Sequence, residues 1–176
     1  MKRRYLLLAP ILLTIHCWRS EPVAPGKPVV GKDSVILDAQ TTQIIGNPEN
    51  VRAYRILDPY DPRYPRLKKT HPLIDEQYPI LEQKPVAALT SRRIANVLLD
   101  PGTYDPDHAT DCTFVPGYAL EFQRGRDIVT VVICFKCGDL DVISPTKRVN
   151  FLPFGADDGE LWNAISTTFP TPRPSS

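Results

Sequence analysis

Three cysteines, Cys112, Cys134 and Cys137, are the residues of this chain whose types and spacing could do chemistry. Cys134 and Cys137 belong to "VVICFKCGDLDVI", residues 131–143, where a β-branched apolar run enters a Cys-x-x-Cys pair followed by Gly138. Thiols so placed have three uses. One of the pair can close a disulfide with Cys112; the pair can supply half of a zinc site; or it can cycle as a redox couple. A zinc site needs four ligands, and the remaining two would be His108 and Cys112, spaced His-x-x-x-Cys. A reactive Cys-x-x-Cys usually sits at a helix N-terminus, whose dipole lowers the thiol pKa, whereas here a strand pattern leads in and Gly138-Asp139 leads out.

No other constellation competes. The chain contains no G-x-S-x-G, no H-E-x-x-H, no phosphate-binding glycine loop and no dinucleotide fingerprint. Three histidines, one of them at position 16, leave few general bases, so no catalytic residue is assigned. Asp139 with Asp141, and Asp157 with Asp158, could pair as acids or hold calcium. A strand surface and a helix cap explain them more simply. The formal net charge of +1 gives no field that would gather nucleic acid, and none is expected as a partner.

The compartment decides among the three uses of the thiols. "MKRRYLLLAPILLTIHC" opens with Lys2, Arg3 and Arg4, then runs apolar from Tyr5 to Ile15. About eleven residues suit the core of an export signal and fall short of the ~20 that span a bilayer. Cys17 after this run resembles the lipobox of bacterial lipoproteins, with His16 standing where a small residue is usual. That resemblance implies a diacylated Cys17 and a membrane anchor; simple cleavage or an uncleaved anchor are the alternatives. All three place the body outside the cytoplasm, where paired cysteines are oxidised by default.

The remaining elements must position these thiols. With residues 1–17 read as the signal, 18–34 read as a Pro/Gly-rich linker, 35–169 as a single domain, and 170–176 as a disordered tail. Nineteen prolines, about double average usage, thin out only after Val86, and 58–72 reads as an exposed, basic, Pro-rich loop. Short strands are expected at Val35–Leu37 and near Ile44 and Ile45, and "NVRAYRIL" as an edge strand. A helix capped by Thr90 or Ser91 carries Ile94, Val97 and Leu98 on one face, and a last helix after Asp157 or Asp158 carries Leu161, Ile165 and Phe169. Between them "YALEFQRGRDIVTVVICF" reads as a hairpin. The fold class is therefore α+β: a small antiparallel β-meander with a helix before it and a helix after it.

If the hairpin turns on Arg124-Gly125, Leu120 opposes Val129 and Tyr118 opposes Val131. The core face then reads Tyr118, Leu120, Phe122, Val129, Val131, Ile133 and Phe135. In that register Cys112 lies opposite Cys137. Opposed strand residues supply the ~4.4–6.8 Å Cα separation of a disulfide, which ranks Cys112–Cys137 first and Cys112–Cys134 second. On a regular strand Cys134 and Cys137 face opposite ways.

Taken in order, "LTSRRIANVLLDPGTY", "DCTFVPGYALEF" and "VVICFKCGDL" resemble a group of uncharacterised bacterial exported proteins. These share a Cys-x-x-x-Pro-x-x-Ala-x-x-Phe strand followed by Cys-Phe-x-Cys on the next one, and the resemblance covers roughly Tyr78 to Phe169. Members often carry a histidine soon after the proline, where this chain has Gly117-Tyr118. The resemblance implies the same strand order and the same cysteine positions, and it brings no activity with it. The sequence thus points to a cell-envelope protein, periplasmic or lipid-anchored at Cys17, that works as a disulfide-stabilised binding or structural module with an envelope protein as partner. The competing class is an envelope thiol-redox or zinc protein using Cys112, Cys134 and Cys137.

Overall fold

The computed structural model describes residues 26–30, 35–105, 112–155 and 158–170. The expected export signal, Cys17, His108, Asp157 and the tail after Pro170 lie outside the described residues. Among those described, no helix is long and apolar enough to cross a membrane.

Among the described residues, nine strands and four α-helices follow in the order β1 (Val29–Val30), β2 (Val35–Leu37), α1 (Ala39–Gly46), β3 (Asn50–Ile56), α2 (Tyr64–Thr70), β4 (Leu73–Ile74), β5 (Tyr78–Pro85), α3 (Ala88–Leu99), β6 (Tyr118–Arg124), β7 (Asp127–Cys134), β8 (Asp139–Ile143), β9 (Arg148–Pro153) and α4 (Asp158–Thr168). β1 and β2 pair with each other. The other seven form one antiparallel sheet ordered β4-β5-β3-β6-β7-β8-β9. The fold is α+β, with an antiparallel β6–β9 meander between α3 and α4, as the hydrophobic patterning implies.

The hairpin keeps the expected core face and shifts its register by two residues. Leu120 opposes Val131 and Tyr118 opposes Ile133, because the loop is Gly125-Arg126 rather than Arg124-Gly125. Gly125 takes φ 59°, so glycine fills the first loop position, where a primed hairpin turn demands positive φ. A slip of two leaves every side chain on its own face. Leu120, Phe122, Val129, Val131 and Ile133 are all fully buried. Above them pack Ile44 and Ile45 of α1, Ile94 and Leu98 of α3, and Leu161 and Ile165 of α4, forming one main core.

Several local expectations give way to tertiary structure. Ile44 and Ile45 sit on a helix: the Asp38 side chain accepts the Thr41 amide at 2.8 Å and caps α1. "NVRAYRI" is central, flanked by β5 and β6. Helix α3 starts at Ala88 with no side-chain cap, and Ser91 lies buried inside it. At its other end the Thr103 hydroxyl donates to the Val97 carbonyl at 2.6 Å and the Tyr104 hydroxyl to the Leu98 carbonyl at 2.7 Å, satisfying carbonyls that a helix end leaves open. Val29–Val30 of the expected linker forms a strand with Val29 buried, and the 58–72 loop contains α2, which buries no residue.

The opposite face of the sheet is concave and less apolar. Tyr54, Ile56, Ile74, Tyr78, Ala119 and Val132 make a second cluster there, joined by Phe114 and Ile143. Although β4 and β9 stand at opposite ends of the strand order, Arg148 on β9 forms an ion pair at 2.8 Å with Asp75 in the β4–β5 turn. The sheet therefore curls until its two ends meet over this face.

Candidate functional site

Two neighbouring features share the concave side: the cysteines, and a cleft of about 760 Å³ to which Cys112 contributes. Strand β7 stops at Cys134, and residues 135–138 turn the chain into β8. Phe135 turns toward the main core, edge-on to Trp162 at 5.0 Å and to Phe154 at 5.9 Å. This anchors the turn. The Cys137 amide donates to the Cys134 sulfur at 3.2 Å, so the turn brings together two residues that a regular strand would separate. The Cys137 thiol donates to the Thr113 carbonyl at 2.9 Å, and the Cys112 thiol to the same oxygen at 3.5 Å.

Cys112 and Cys137 are therefore neighbours, although the observed ladder does not oppose them as the other register would. The three cysteines stand as free thiols. Cys134 is wholly buried, Cys137 nearly so, and Cys112 half-buried. The hydrogen bond with Cys137, then burial, raises the Cys112 thiol above its ordinary pKa; burial raises that of Cys137. Among the described residues no three His, Cys, Asp or Glu side chains form a group that could hold a metal ion. His108 lies outside them.

Gly138 closes the turn at φ 69°, and a Cβ there would meet the Phe154 carbonyl oxygen at 3.2 Å. Gly138→Ala should lower the unfolding free energy by about 1–2 kcal/mol, the cost of a left-handed β-carbon. Urea denaturation measures it, and a variant as stable as the parent would show that the turn tolerates another backbone conformation.

The cleft is built around a residue that sequence reasoning placed on a strand surface. Asp141 is only 4% exposed. Opposite it, β9 carries a bulge, with the register slipping between Leu140–Leu152 and Val142–Val149. The bulge takes the Phe151 amide out of the ladder, and Asp141 Oδ1 accepts it at 2.9 Å. Phe151 itself takes φ 51°, an uncommon state for an aromatic residue, and its ring is 62% exposed. It packs edge-on against Phe114 at 5.6 Å. Arg148 ties the site together, meeting Asp75 at 2.8 Å, Asp141 at 3.6 Å, and the Asn150 side-chain oxygen through Nε at 2.7 Å. Asp75 and Glu76 also take positive φ, so all three non-glycine residues in this state among those described lie in β9 or in the turn that β9 contacts. Backbone strain of this kind concentrates where a site must be held in shape.

The electrostatics follow from burial. Burial, then the Asp141 carboxylate, pushes the Tyr78 hydroxyl up to about 12. Burial also raises Asp141, opposed by the Phe151 amide and Arg148. A carboxyl whose folded pKa exceeds its unfolded one contributes stability that is fully present below about pH 3.8 and is lost as pH rises through the folded value. The stability of the parent relative to Asp141→Asn should therefore fall as pH climbs from that point toward neutrality. Urea midpoints across the range test the sign, and a difference growing with pH would contradict it.

No family model matches this chain, and no curated protein or solved structure matches it either. The site's chemistry rests on its own residues.

Proposed function

We propose that this chain is an exported cell-envelope module that binds a ligand in the concave cleft, its 112–114 wall fastened by a Cys112–Cys137 disulfide, with Cys134 the alternative partner. The N-terminal signal supports export, with Cys17 as the lipid-bearing anchor to the membrane. One observation carries the disulfide: the Cys112 and Cys137 thiols meet at a single carbonyl, that of Thr113, across a loop of about 25 residues. Thr113 and Phe114, which line the cleft, follow Cys112 directly. A bridge at this point would hold the wall against the β7–β8 turn.

The thiol-redox reading is weaker on physical grounds. Attacking thiols are recognised by a lowered pKa in a polar, electropositive setting, whereas both Cys112 and Cys137 are shifted up. A zinc reading keeps one supporting observation: the amide-to-sulfur bond from Cys137 to Cys134, followed by a left-handed glycine, presents both sulfurs from one tight turn.

Protein purified from an oxidising compartment separates these readings. Denatured without reductant, it should show one free thiol beyond Cys17, and peptide mapping should find Cys112 joined to Cys137. Three free thiols, or zinc near one per chain, would overturn the disulfide.

A further inference from the structure

We infer that the cleft between the β4–β5 turn and β9 takes a neutral oligosaccharide; this rests on the reading of the chain as a binding module. The argument starts from what the cleft does not offer. It is a partly open hollow, and a lipid tail or other apolar ligand would keep part of its surface in water there. Its cation, Arg148, is already met by Asp75 and Asp141, and the Asp141 carboxylate is met by the Phe151 amide and Arg148. A charged ligand would have to displace one of these partners.

What the cleft does offer is rings and planar polar groups in one place. Tyr60, 69% exposed, and Phe151, 62% exposed, are two of the four large hydrophobic side chains that stand out to solvent among the described residues. Both border this cleft. Phe151 is set outward on a bulge at positive φ, a backbone state that non-glycine residues seldom adopt. The amides of Gln77 and Asn150 and the guanidinium of Arg148 line the same cleft, and a neutral hydroxyl can share a guanidinium that has five N–H donors without displacing its carboxylate partners. A sugar ring matches both sets. Its C–H faces lie on aromatic faces, and its neighbouring hydroxyls donate and accept at once, so they can bridge flat side chains that carry donors and acceptors side by side.

The test uses the full exported chain and three probes of different linkage, chitohexaose, cellohexaose and maltohexaose, by isothermal titration. At least one should bind, with an affinity nearly independent of salt between about 0.05 and 0.5 M because the ligand is uncharged. Tyr60→Ala and Phe151→Ala should each weaken that binding about tenfold through loss of a ring stack. Both rings are exposed, so thermal unfolding of the variants should track the parent and confirm that the fold is intact. Absence of binding by all three probes at about 5 mM, weaker than any useful recognition, would overturn the inference. So would binding that ignores both ring substitutions. A titration with a lysine-rich peptide separates this failure from that of the broader reading. If the peptide binds at low salt, is released at high salt and is weakened by Phe151→Ala, the ligand class is wrong and the module still binds in the cleft. If neither peptide nor sugar binds while the Cys112–Cys137 bridge is found, the binding reading falls too and only the disulfide-held domain stands.

Discussion

Phe122→Ala is expected to remove about 3–5 kcal/mol of unfolding free energy, the range for truncating a buried phenylalanine. Phe122 is fully buried on β6, opposed by Val51 on β3 and Val129 on β7, with the helical layer above it. These two neighbours belong to the flanking strands β3 and β7, and neither can move inward alone without breaking its ladder. The cavity should therefore stay open, and the cost should fall in the upper part of that range. In a domain of this size each kcal/mol displaces the thermal midpoint by about 2–4 °C, so a fall of about 10 °C or more should follow. Urea denaturation reads the same quantity with an unchanged m-value. A loss below about 1 kcal/mol would mean that this position is not the centre of the core.

Cys112→Ser carries the second large effect, and it depends on redox state. In oxidised protein the proposed bridge to Cys137 would close a loop of about 25 residues, and the chain-entropy model assigns this roughly 3 kcal/mol. The variant should melt well below the oxidised parent, and the two should converge once reductant is added. Convergence is the informative part. Serine at 112 keeps a hydroxyl near the Thr113 carbonyl, so a simple loss of packing would persist in reductant. Identical melting under oxidising conditions would show that no bridge forms there. A Cys134→Ser variant separates the alternative pairing, because it should then be the one that releases an extra thiol from Cys112.

What could be read in advance follows a physical divide. The β6–β7 face was legible because alternation in a half-covered strand is a local signal, and burial of Leu120, Phe122 and Val131 follows from it directly. The turn was misplaced by one residue because Arg124-Gly125 and Gly125-Arg126 leave the same face buried and differ only in which loop position needs positive φ. Helix α1 was hidden by its own composition: Thr41, Thr42, Ile44 and Ile45 are β-branched, and packing rather than propensity decides their state. Strand β5 was hidden by Pro79 and Pro85. Pro85 is tolerated because the two-residue β4 leaves that part of the outer side unpaired, whereas Pro79, opposite Leu73, serves only as an acceptor, its carbonyl taking the Leu57 amide.

The site was the least legible part. The Cys112–Cys137 neighbourhood was anticipated, yet by a register that does not exist; the turn at residues 135–138 brings the thiols together instead. Nothing local marks Asp141 as buried. Its surroundings come from Tyr78, more than 60 positions earlier and near enough to feel its charge, and from the bulge on the adjacent strand β9, whose Phe151 amide it accepts. The one usable hint was the run Asp139-Leu-Asp-Val-Ile143, since two acids in an otherwise apolar strand call for partners wherever the strand is central.

The bulge in β9 also bears on solubility. A terminal strand normally presents a row of open amides and carbonyls on which a second molecule can lay its own strand, the first step toward fibrous assembly. Here Phe151 breaks that row by leaving the ladder, Pro153 has no amide to offer, and residues 103–105 cover the strand's far end through the Asp105 and Gly155 amides. The irregularity that turns an aromatic ring toward the cleft thus also leaves the outer margin of the sheet a poor template for stacking.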